Sequence, residues 1–233
     1  MRWSPPRSLA VALAGLALGA LPWAASRLAH GQDPPPSAAP APDADLAKRV
    51  EKLDSAINQC LDADRIAEAI PPAREKHELL ERGLGKDHWR TGDARRDLET
   101  CQRLAGLPRE VQDRYAKARQ ANARARQLYG RGQYAEAALL VQEALTIRRD
   151  ILGEGHPDIA TSYDNLGKAL RYQGKAAEAE AMRRRALAIR LEALGEGHPE
   201  TAASYNNLAI TLSDEGKSAE AEAMLRRALA IYL

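Results

Sequence analysis

One unit repeats along the second half of the chain with a period of 42 residues, and this limits the possible folds more than any other feature. Residues 152–191 read LGEGHPDIATSYDNLGKALRYQGKAAEAEAMRRRALAIRL, and residues 194–233 read LGEGHPETAASYNNLAITLSDEGKSAEAEAMLRRALAIYL. The two agree at 27 of 40 positions. Residues 127–153 hold an earlier copy of the second half, and residues 66–89 a fainter one. A unit this short cannot bury both of its faces alone, so copies stack and bury them against each other.

Each unit predicts two helices. In the last copy the first helix runs from Pro199 to about Glu215. Pro199 suits the first helical position, where its missing N–H costs nothing, and Glu200 suits the positive helix end. Gly216, Gly174 and Gly132 close the first helix of successive copies. The second helix begins near Ala219. Its residues Ala221, Met224, Leu225, Ala228, Leu229 and Tyr232 recur at spacings of three and four, which predicts one buried stripe. Ala179, Ala186, Ala221 and Ala228 let neighbouring helices approach closely. Composition agrees. The chain has no Phe and only 4% aromatic residues, although 45% of it is hydrophobic. An Ala- and Leu-rich core favours helices over sheets. The expected fold is all-α, a right-handed superhelical solenoid of antiparallel helix pairs.

The pattern Tyr205, Leu208, Ala209, Leu212, Gly216, Ala221, Leu225, Ala228 resembles the tetratricopeptide repeat. The period and the LGEGHP and YNNLA strings resemble its kinesin-light-chain type. Residues 46–108 read as degenerate helical repeats and 109–233 as tetratricopeptide repeats. The layout, including the degenerate stretch 85–99, also resembles bacterial exported proteins in which such repeats precede a CHAT-type cysteine peptidase domain. Two departures stand out. Arg183 occupies a slot that Leu225 fills in the next copy, and its head is expected to snorkel outward. Leu107-Pro108 breaks the chain, after which residues 109–130 read as one long helix, so the superhelix is expected to be irregular near residue 108.

The resemblance implies a peptide or protein partner lying along the concave face made by the first helices. Its exposed inner positions fall on Arg119, Asn122, Arg126 and Tyr129, then on Thr161, Asp164, Lys168 and Arg171, then on Ala203, Asn206, Ile210 and Ser213. Asn122 and Asn206 offer amides to a peptide backbone. Arg119, Arg126, Lys168 and Arg171 outweigh Asp164, which points to acidic peptides. The rival readings are the repeat region of a larger CHAT-type peptidase, whose reading frame would continue past Leu233, and a spacer with no ligand. The last helix ends ALAIYL, still in the apolar pattern, so further repeats or a covering partner are expected there.

The N-terminus reads as an export signal, residues 1–31. Arg2 and Arg7 precede an apolar run from Leu9 to Ala25 that is short for a membrane span and loosened by Gly15, Gly19 and Pro22. Ala29 and Gly31 supply small residues for cleavage before Gln32. The alternative is an uncleaved anchor through residues 9–25, the one route to a membrane. Residues 32–45 hold five prolines and read as an extended linker. Export implies a periplasmic or extracellular location.

No candidate chemistry survives inspection. Net charge is +2, and removing the three arginines of residues 1–31 from the chain's 34 bases leaves 31 against 32 acids. No stacking platform interleaves with the basic residues, so nucleic acid is not expected. His88, His156 and His198 share one slot before successive first helices. Stacked units hold such slots at least ~8–10 Å apart, too far for one metal, so a loop role is expected and no cofactor. Gly216-Lys217-Ser218 lacks the upstream glycine of a phosphate loop, since Thr211 stands there, and no strand precedes it. Cys60 and Cys101 are the only cysteines. They form either a disulfide, plausible in an exported chain, or two small buried residues. No catalytic residue is expected.

Overall fold

The computed structural model describes residues 44–233, so the signal-peptide reading and all but the last two residues of the linker lie outside the described part. Among the described residues nine α-helices and one short 3-10 turn follow one another: α1 (Ala44–Asp62), the turn Ile66–Ala69, α2 (Ile70–Leu84), α3 (Trp89–Ala105), α4 (Arg109–Gly130), α5 (Tyr134–Leu152), α6 (Pro157–Tyr172), α7 (Ala176–Leu194), α8 (Pro199–Asp214) and α9 (Ser218–Tyr232). No strand occurs among the described residues. From α4 onward the helices form the pairs α4/α5, α6/α7 and α8/α9, and each pair packs on the next. This is the expected all-α solenoid.

The turns follow from the glycines. Gly132, Gly174 and Gly216 take φ of 74°, 77° and 77°, a left-handed conformation that side chains resist. Alanines set the helix spacing: Ala137, Ala144, Ala179 and Ala186 are fully buried, and larger side chains stand between them. Tyr163, Ile159, Tyr205, Leu208 and Leu212 fill the repeat cores. Each such side chain contributes about 1.5–3 kcal/mol on burial.

The histidine slot has a local explanation. His88, His156 and His198 are the residues before α3, α6 and α8, and each imidazole Nδ1 accepts from the backbone N–H two residues on, at 3.1, 3.2 and 3.1 Å. They serve as N-caps, the role usually taken by Ser or Asp. Around them Thr91 and Thr201 donate to Gly85 O and Gly195 O at 2.8 Å, and the Tyr163 hydroxyl donates to Glu154 at 2.7 Å.

The N-terminal part departs from the repeat. Only Gly106-Leu107-Pro108 joins α3 to α4, and no second helix intervenes. The Gln112 amide donates to Ala105 O and Leu107 O, tying off the end of α3. Lacking a paired second helix, α3 lies across the beginnings of α6 and α8. Near its end, Arg103 donates to Leu152 O at 3.2 Å and Thr100 Oγ1 meets His156 Nε2 at 3.0 Å. Near its start, Asp93 Oδ1 lies 3.2 Å from His198 Nε2, and Trp89 meets the His198 ring edge-on at 5.4 Å. The irregularity expected near residue 108 is therefore a helix crossing the repeats. His88 caps its own helix as the others do, but it does not stand in a regular succession with them.

Two expectations are corrected. Arg183 does not snorkel outward. It is 4% exposed and donates to Asn207 O and Thr211 Oγ1 of α8. Gly167 makes room for it, since a Cβ there would meet Arg183 Cγ at 3.0 Å. The apolar stripe of α9 is buried only at Ala221 and Ala228, while Leu225, Leu229 and Tyr232 are exposed. The face that α8 covers on α7 has no covering helix on α9 among the described residues.

Candidate functional site: the inner face of the first helices

The inner face is carried by α4, α6 and α8. Eight of the twelve residues assigned to it from the sequence fall into three groups. Arg126, Lys168, Asn206 and Ile210 are exposed and open to a ligand. Arg119 and Arg171 are half-buried and already engaged, Arg119 with Asp62 at 2.7 Å and Arg171 with Asp214. Asn122 and Asp164 are taken out of the face by packing.

Asn122 is 4% exposed, which corrects its assignment as a peptide-backbone contact. With its amide oxygen turned toward α5 it accepts from both terminal nitrogens of Arg148 at 3.2 Å. Arg148 also donates to Ser162 of α6 at 3.2 Å. One period later Arg190 of α7 repeats the arrangement. It pairs with Asp164 of α6, donates to Ser204 of α8, and reaches Thr161 and Glu200 at 3.2 Å. Burial raises the Asp164 carboxyl above its ordinary range, against the pull of Arg190. Both arginines are clips that join one first helix to the next. The sequence holds their signal: Arg148/Arg190, Asn122/Asp164 and Ser162/Ser204 each recur at the repeat period.

A second feature was missed from the sequence. Tyr134 and Tyr172 stack at 4.5 Å with planes 11° apart, and Tyr129 lies 6.4 Å from Tyr134. The Lys168 ammonium sits 5.1 Å from the Tyr129 ring, and the Arg171 guanidinium 5.2 Å from the Tyr172 ring. Tyr129 donates to Asn165 O at 2.6 Å, and burial pushes its hydroxyl up to about 12. Tyr172 remains 49% exposed. The result is an aromatic ledge with cations over its rings, beside the exposed Arg126 and Lys168.

Cys60 and Cys101 are free thiols brought into one apolar cluster with Ile57, Ala69 and Ala73. Burial pushes the Cys101 thiol up to about 11, with Asp97 adding to it, which is the opposite of what a nucleophile requires. His156 lines the same cavity as Cys101, but its Nε2 is engaged by Thr100. Among the described residues no group of three or more His, Cys, Asp or Glu is placed to hold a metal ion.

Stacked helix pairs with a polar inner face and clipped first helices define a helical-repeat scaffold. Residues 120–192 and 169–233 match the family model described as tetratricopeptide repeat, and this region of the chain belongs to that family. Such repeats generally mediate protein–protein interactions. Among solved structures the chain is similar to BtubC (BKLC) from P. vanneervenii, at 21% identity and a TM-score of 0.51, over 81% of this chain and 74% of that one. Two structures from Podosopora anserina, described as a kinesin light chain with nearly identical TPR-like repeats, are 21% and 22% identical with TM-scores of 0.46 and 0.44. They cover 80% of this chain and 93% and 94% of theirs. No curated protein matches the chain.

Proposed function

We propose that the chain is an exported, non-catalytic scaffold that holds an acidic peptide segment of a partner protein against α4 and α6. The supporting observation is the exposed pair Arg126 and Lys168, which share one register on adjacent first helices beside the tyrosine ledge. Arg119 and Arg171 add less, because Asp62 and Asp214 already neutralise them. An extended peptide lying across the two helices would meet both exposed cations, with Tyr172 as an apolar neighbour. The test is fluorescence anisotropy with an acidic and a basic peptide library. The acidic set should bind more tightly and weaken as salt rises, since exposed charges are screened over ~8 Å at physiological ionic strength. Replacing Arg126 and Lys168 by Ala should abolish the preference, and equal affinity for both sets would refute it. Export rests on the order of residues 1–31, basic, then apolar, then small. A mature species beginning at Gln32 by intact mass is the expected result.

A further inference from the structure

A cavity of about 360 Å³ lies between α3 and the beginnings of α4 and α6, with α1 and α2 closing its far side. This is within the range of small-molecule sites. Carboxylates reach it from four helices: Asp54 on α1, Asp93 and Asp97 on α3, Asp158 on α6 and Glu200 on α8. The cations of its wall are already engaged. Lys76 bridges Asp54 and Asp97 at 2.7 and 2.8 Å, Arg96 pairs with Asp93, and Arg119 is drawn to Asp62. The Asp158 carboxylate has no side-chain partner among the described residues. It lies in the favourable field of the α6 N-terminus. The wall therefore carries an excess of negative charge, and burial together with Asp158 and Asp93 raises the Asp97 carboxyl even beside Lys76.

The second observation is Tyr115 of α4. It is 3% exposed and lines the cavity, yet its hydroxyl has no hydrogen-bond partner among the described residues. Tyr129, Tyr163 and Tyr205, buried or half-buried in the same scaffold, each donate to an oxygen. A tyrosine side chain this deeply buried ordinarily finds a partner for its hydroxyl. The charged groups acting on this one include Asp158 and Arg119, both of which line the cavity.

We propose that the cavity binds an alkylammonium group, with the Asp158 and Asp97 carboxylates as its charge partners and the Tyr115 hydroxyl as a third acceptor. An ammonium has three N–H donors and no acceptor, which suits the Asp158 carboxylate, the Asp97 oxygen that Lys76 does not hold, and the Tyr115 hydroxyl. The group belongs either to a free aliphatic amine or to a lysine side chain of a partner protein. Arg126 and Lys168 are not part of this wall, so the site goes beyond the groove reading and stands or falls separately.

The test is calorimetric titration of the full chain with cadaverine, with a short lysine-rich peptide, and with 1-pentanol as the uncharged control. Cadaverine should bind saturably and pentanol should not. Asp158→Asn should weaken the amine about tenfold, the usual consequence of losing one charge-assisted hydrogen bond. Tyr115→Phe should weaken it at unchanged helicity by circular dichroism, and Lys168→Ala should leave it untouched. Binding of cadaverine alone identifies a free amine as the ligand. Binding of the peptide as well identifies a partner side chain. No saturable amine binding, pentanol binding as tight as cadaverine, or both Asp158→Asn and Tyr115→Phe indistinguishable from the unaltered chain would overturn the proposal.

Discussion

Arg190 on α7 and Asp164 on α6 form an ion pair that is 7% and 11% exposed, and Ser204 of α8 takes a further hydrogen bond from the same guanidinium. Three helices are thereby tied at one point inside the scaffold. Removing one partner strands a buried charge, so Asp164→Ala should cost about 3–5 kcal/mol. Asp164→Asn recreates the pair Asn122–Arg148 found one repeat earlier and should cost less. Replacing both members by apolar residues, Asp164→Leu with Arg190→Met, should be milder than Asp164→Ala, because no charge is left buried. Urea denaturation of the four proteins orders them. If Asp164→Ala proves the mildest of the three variants, the clip is not structural.

The histidine caps make stability depend on pH. Burial lowers the pKa of both His88 and His156 below the ordinary 6.5. Each cap needs a neutral imidazole, because Nδ1 must accept from the N–H of Arg90 or Asp158. Below pH 6.5 the unfolded chain therefore binds more protons than the folded one. The contribution of these groups is complete above pH 6.5 and is lost as pH falls toward the lowered folded values. The melting temperature should drop between pH 7.5 and pH 5.5. His156→Asn retains a capping acceptor and should flatten that slope. His156→Ala loses the cap, worth about 1 kcal/mol or roughly 2–4 °C in a chain of this size. A melting temperature that rises on acidification would contradict the assignment.

The repeat was legible because it is written locally. The period, the closing glycines and the break at Leu107-Pro108 each specify a few consecutive residues, and the structure places helix ends at all of them. What escaped was relational. Residues 85–99 resemble a first helix, and α3 is one, but nothing in a period says where a helix goes when its pairing helix is missing. Asn122 sits at an inner position by count, yet Arg148 reaches it from α5 and buries it. Leu225, Leu229 and Tyr232 have the spacing of a packed stripe, but spacing does not supply the helix that would cover them. The inner face was named from positions, and its availability depended on side chains arriving from neighbouring helices.

The two cysteines should differ in reactivity. Cys101 is buried with its thiol pushed up to about 11, so at pH 8 it holds almost no thiolate. Cys60 is only half-buried in the same cluster. Brief treatment of the native, reduced protein with iodoacetamide should modify Cys60 first, and Cys101 only after denaturant is added. Peptide mass mapping gives the answer. Equal native labelling would mean that the cluster opens on the timescale of the reaction.

The Gly167–Arg183 contact has a counterpart that sets up a double-mutant cycle. One period later the same two slots hold Ala209 and Leu225. The glycine goes with the arginine because a Cβ at 167 would meet Arg183 Cγ at 3.0 Å and Ala179 O at 3.2 Å. Gly167→Ala alone should overpack α6 against α7 and cost about 1–3 kcal/mol. Arg183→Leu alone removes a buried guanidinium whose pKa burial lowers, and with it the bonds to Asn207 O and Thr211. The relieved desolvation should offset most of that loss, for a net change within about 1 kcal/mol. The double variant copies the pair that the last repeat already accommodates. It should therefore be more stable than the sum of the single changes by about 0.5–3 kcal/mol, the coupling expected of touching residues. Chemical denaturation of the four proteins measures the coupling. Strict additivity would show that the glycine is there for some reason other than the arginine.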